Sequence, residues 1–92
     1  MSASILCDRV RARNIVNLAA ADARKSNLHS VECWLHADEN GTFERMAEEI
    51  VADTAERAAH LHLSEEAVNV QVAKILVLNA LEAAIANKRR RS

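Results

Sequence analysis

Residues 63–88 read LSEEAVNVQVAKILVLNALEAAIANK, and no side of that stretch is continuously polar. At about 100° per residue, Val68, Val72 and Ile75 fall on one side of a helix. Val70, Val77 and Leu81 fall on the other, with Leu78 and Ile85 between them. A surface helix of a monomer needs one apolar stripe, whereas a helix apolar all round must be covered from several directions. In a chain of 92 residues such a helix is either the centre of the core or one half of a subunit contact. The expected fold is all-α, a compact bundle of three to four helices with a long last helix, and dimeric. Val70, Val77, Leu78, Leu81 and Ile85 are the candidate self-association residues.

Composition points the same way. Of 46 apolar residues 18 are Ala, and Trp34 and Phe43 are the only aromatics. Ala lets helices approach closely but offers little area to bury at about 25 cal/mol per Å², so a thin core gains from association. There is no Pro, Gly41 is the single Gly, and strand-like alternation between turn clusters is nearly absent. Residues 1–92 form one helical domain by length, ending in a basic tail at 88–92.

Upstream of the quoted stretch the remaining helices follow from caps and periodicity. Ser64 caps the last helix, Glu65 and Glu66 sit at its positive end, and Lys88 to Arg91 at its negative end. Thr42 is the expected cap of a helix from Phe43 to about His62, with Phe43, Ala47, Ile50, Thr54, Ala58 and Leu61 on its apolar face. Asp38-Glu39-Asn40-Gly41 is the clearest loop, since Asn-Gly accepts positive φ. A short helix from Val31 to about Asp38, capped by Ser30 and anchored by Trp34, precedes it. The first helix is expected from about Ala3 to Ser26, capped by Ser2 or Ser4. Ile5, Ala12, Val16, Ala19 and Ala23 face inward there, and Asn14 and Asn17 outward.

The net charge of −1 hides a segregation. Residues 30–66 hold ten carboxylates against Arg45 and Arg57, while 67–92 hold Lys74, Lys88, Arg89, Arg90 and Arg91 against Glu82. Within the acidic middle, Glu44, Glu48, Glu49, Asp53 and Glu56 project from one helix. That face is the candidate partner-binding surface, suited to a protein with a basic surface; an ordinary solvated helix face is the plainer account.

The run Ala58-Ala59-His60-Leu61-His62-Leu63-Ser64-Glu65-Glu66-Ala67-Val68, continuing to Val72 and Ile75, resembles the core of LuxR-type DNA-binding domains. In these an Ala and a Leu end one helix, a Ser caps the next, and apolar residues follow at this spacing. The resemblance covers under a quarter of the chain and implies a helix-turn-helix regulator. The positions it would turn toward a groove are Glu65, Glu66, Asn69, Val70 and Ala73, where base and phosphate contacts call for Arg, Lys, Asn or Gln. Cap chemistry alone produces the same pattern at a bundle corner. For nucleic acid the candidates are thus Asn69 with the tail cations Lys88, Arg89, Arg90 and Arg91. That binding is possible but not favoured.

His29, Cys33 and His36 stand at i, i+4 and i+7, a spacing that would put three zinc-compatible ligands on one helical face. A paired-cysteine motif is missing, so Cys33 is expected as a buried small hydrophobe and no metal or other cofactor is expected. Catalysis is not expected either. The chain lacks a Gly-rich phosphate loop, a nucleophile elbow and a His-Glu-x-x-His. Cys7 and Cys33 make no disulfide framework, and charge recurs too often for a signal peptide or a membrane span. A cytoplasmic, non-enzymatic regulatory, adaptor or inhibitor protein is the expectation, acting by helical docking as a homodimer. The alternative is a small DNA-binding regulator.

Overall fold

The computed structural model describes residues 9–91; the side chains at positions 9, 39 and 88–91 lie outside that description. Among the described residues there are four α-helices and no strand: α1 (Arg9–Lys25), α2 (His29–Ala37), α3 (Thr42–His60) and α4 (Glu65–Arg91). A 3₁₀ turn at Glu39–Gly41 joins α2 to α3. The all-α bundle with a long last helix matches the expectation. The start of the first helix, with Ser2, Ser4 and Ile5, lies outside the described residues.

Helix α4 has 27 residues, about 40 Å at 1.5 Å per residue. It accounts for the longest dimension of the molecule, 47 Å against 24 and 19 Å across. α1, α2 and α3 all pack against it. Its buried side chains are Val68, Val72, Ala73, Leu76, Val77 and Ala80, an arc of about half the circumference. That arc takes in Val68 and Val77, which the sequence assigns to opposite sides. The stretch Glu65–Asn87 is also long and apolar enough to cross a bilayer. A third of its most apolar window is buried within the bundle, on the arc that faces the other three helices, and Lys74 and Glu82 interrupt its outer arc.

Opposite α4, α1 contributes Ala12, Ile15, Val16, Ala19, Ala20 and Ala23 to the core. Small side chains let the two backbones approach, and they bury little area per residue. Val31 and Leu35 enter from α2, and Phe43, Ala47 and Val51 from α3. Leu35, fully buried, holds α2 in place. Trp34, 37% exposed, adds an edge-on contact with Phe43, with ring centroids 5.4 Å apart.

Helix ends are handled with almost no glycine. After α1, Asn27 takes a φ of 60°, Leu28 N–H donates to the Ala23 carbonyl (2.8 Å) and Asn27 N–H to that of Arg24 (3.1 Å). These are the paired bonds of a Schellman C-cap. The end of α3 repeats it with His62 at φ 53°, where Leu63 N–H donates to the Ala58 carbonyl (3.1 Å) and His62 N–H to that of Ala59 (3.2 Å). Asp38 closes α2 in the left-handed region (φ 36°) and sends its N–H to the Trp34 carbonyl.

Two expected caps change. Ser30 lies inside α2, which begins at His29 without a side-chain cap. The N-terminus of α3 is capped by Asp38, whose Oδ1 accepts from Phe43 N–H (2.7 Å) and whose Oδ2 accepts from Glu44 N–H (3.3 Å). Thr42 is instead the first residue of that helix. The turn through Asn40 (φ 65°) and Gly41 (φ 66°) folds Asp38 back over the helix start, so a carboxylate four residues before Thr42 reaches N–H groups a hydroxyl was expected to hold. Ser64 does cap α4, accepting from Ala67 N–H at 3.1 Å.

Candidate docking surfaces

The outer arc of α4 leaves a row of apolar side chains to solvent. Val70, Ile75, Leu78 and Ile85 are exposed along it, Leu78 most of all at 59%, and Leu81 is half-buried against the core. Lys74, Gln71 and Glu82 lie among them, also exposed. Val77 does not belong to this surface. At 6% exposure it lies inside the protomer, because α1 covers more of α4 than a narrow stripe. Four of the five candidate self-association residues therefore keep contact with solvent.

Two grooves flank that arc. Toward its C-terminal end, a groove of about 640 Å³ runs between the start of α2 and α4, with Leu28, Trp34, Leu81 and Ile85 among its walls. Toward its N-terminal end, a notch of about 370 Å³ opens at the α3–α4 corner, walled by Ala58, Leu61, Leu63, Val68 and Ile75. Leu61 is 64% exposed there. The periodicity of α3 assigns Leu61 to the core, but the helix ends at His60, so Leu61 leaves the helical path before reaching it. The notch is the site that the sequence reading misses. Its available signal is the pair Leu61 and Leu63 on either side of a helix end, where polar turn residues are the rule.

Glu48, Glu49, Asp53 and Glu56 are exposed on the outer side of α3. Glu44 departs from that face. Its side chain is 19% exposed, with Oε2 3.9 Å from Arg13 Nη1, and its Oε1 is buried without a hydrogen-bond partner. The first turn of α3 is tucked against α1, so a residue in phase with solvent farther along is enclosed at this level.

At the α3–α4 corner, the front of α4 is turned toward α1. Arg11 Nε donates to Asn69 Oδ1 at 2.8 Å, and Arg11 Nη1 lies 3.6 Å from Glu65 Oε1. Asn69, the one groove-reading candidate with suitable chemistry, is thus engaged within the protomer, and Val68, Val72 and Ala73 are interior. The tail cations Lys88, Arg89, Arg90 and Arg91 occupy the final turns of α4; their side chains lie outside the described residues.

On α2, His29 and His36 bracket Glu32, with His29 Nδ1 3.8 Å from Glu32 Oε1 and His36 Nε2 3.7 Å from Glu32 Oε2. Cys33 is exposed rather than buried, since Val31 and Leu35 take the inward positions of this short helix. Among the described residues no three His, Cys, Asp or Glu side chains gather in metal-binding geometry. Cys7 lies outside the described residues. No family model, curated protein or solved structure matches this chain.

Proposed function

We propose that this protein is a non-enzymatic regulatory or adaptor protein that acts by docking helical surfaces on other proteins, as a homodimer through the outer arc of α4. The observation that supports it is the row of exposed apolar side chains, Val70, Leu78 and Ile85, on a helix whose other half is fully committed to the core. Exposed apolar surface of this kind marks protein contacts. The carboxylates Glu48, Glu49, Asp53 and Glu56 give a second surface, whose field accelerates encounter with a partner carrying a basic surface. Regulation of that partner, by activation or inhibition, is the role such a two-surface module serves.

DNA binding is the less supported reading, because Glu65 and Glu66 stand at the front of α4 and Asn69 is held by Arg11. The experiment is affinity capture with mass spectrometry on the protein and on Glu49→Lys/Asp53→Lys/Glu56→Lys, followed by association kinetics against ionic strength. A basic partner lost on charge reversal, with an association rate that falls as salt rises, is the expected result. A partner rate indifferent to salt would leave the acidic face a solvated surface. A sequence-specific duplex complex at physiological salt would replace this reading with the DNA-binding one.

A further inference from the structure

The outer arc of α4 carries a charge pattern that is self-complementary about Leu78. Lys74 and Glu82 stand four residues to either side of it and carry opposite signs. The apolar residues repeat the arrangement, with Ile75 and Leu81 three residues to either side. Among the described residues, neither Lys74 nor Glu82 forms an ion pair within the protomer, and both are exposed.

From this we infer that the occupant of the α4 outer arc is the same helix of a second copy, packed antiparallel, with the two-fold axis passing close to Leu78. The inference rests on the homodimer in the proposed function and specifies its geometry. In a two-fold contact, residue i meets j and j meets i. An antiparallel pair of straight helices brings residues equidistant from the axis to the same level, because each residue advances 1.5 Å. Leu78 then meets Leu78 of the partner subunit, and Leu81 lies level with the partner's Ile75. Lys74 lies level with the partner's Glu82. The parallel arrangement does the reverse, setting Lys74 level with Lys74 of the partner subunit and Glu82 level with the partner's Glu82. Like charges opposed in this way are destabilising. Leu78, the most exposed apolar residue of α4, lies at the centre, where contact is closest.

The arrangement is tested by sedimentation equilibrium and by disulfide trapping on the full chain with Cys7→Ser and Cys33→Ser. Gln71 and Ile85, both exposed and each seven residues from Leu78, take the trapping cysteines. Gln71→Cys protomers should cross-link to Ile85→Cys protomers and neither should cross-link to itself, since disulfides need Cβ atoms within about 4.5 Å. Lys74→Glu or Glu82→Lys alone should raise the dimer dissociation constant about tenfold. The double exchange should restore it to within about threefold, because opposite charges face again.

Self-linking of either cysteine variant, or a double exchange weaker than both singles, overturns the antiparallel arrangement and leaves a homodimer standing. A protein that stays monomeric up to about 100 μM removes the homodimer and this inference together, while the acidic face of α3 keeps its separate test in partner kinetics.

Discussion

At the residue scale, the notable choice is to end helices on left-handed residues other than glycine. Asn27, Asp38 and His62 all hold positive φ, which costs an ordinary side chain roughly 1 kcal/mol and is least costly for Asn and Asp. His62 is also of a type found there more often than most, though less freely than Gly. Replacing it with Gly removes that cost, offset in part by the greater freedom of the unfolded chain. His62→Gly is expected to raise stability by about 0.5 kcal/mol, and His62→Val to lower it by about 1 kcal/mol or more, since a β-branched residue is least tolerated there. Thermal unfolding distinguishes the two by the sign of the shift. Asp38 carries a second duty as the cap of α3 through Phe43 and Glu44. Asp38→Ala should cost about 1 kcal/mol, read as a midpoint lower by about 4–8 °C in a domain this size.

At the element scale, α4 divides into a buried arc and an exposed one, and nearby leucines report on them separately. Leu76 is fully buried and Leu78 is mostly exposed. Leu76→Ala removes packed methylenes and leaves a cavity, at about 2–5 kcal/mol in denaturant unfolding. Leu78→Asp should leave the protomer's fold intact and weaken self-association, because it sets charges in an apolar contact. Leu78 is the cleaner probe than Leu81, which packs against the core, so a charge there damages folding and association together. A Leu78→Asp protein that sediments like the parent would mean the outer arc is not a subunit contact. In the proposed dimer the outer arc would add the apolar burial that a thin core lacks. Among the described residues, seven of the seventeen buried hydrophobic ones are Ala, and helices lined by Ala approach closely without burying much area.

At the scale of the whole molecule, charge and apolar surface make distinguishable contributions to association. Salt at 1 M shortens the screening length to about 3 Å but leaves apolar burial in place. Self-association should therefore weaken by about tenfold between 0.1 and 1 M salt and persist, whereas capture of a basic partner by the α3 face should fall away. Sedimentation across a salt series checks the first. The helical class, the four-helix order, the Asn40-Gly41 turn, the Ser64 cap and most inward positions of α1 were readable in the chain alone. Each depends on local chemistry or on a 3.6-residue period, which travels with the sequence. Tertiary structure decided the rest. Asp38 displaced Thr42 as a cap because the turn folded it back in space, and Glu44 turned inward because α1 lies against the first turn of α3. Leu61 became part of a notch because its helix ended one residue earlier. Val77 became core and Leu78 stayed surface because three neighbours set how much of α4 is covered. A uniformly apolar sequence specifies that a helix must be covered; only packing against particular neighbours determines on which side.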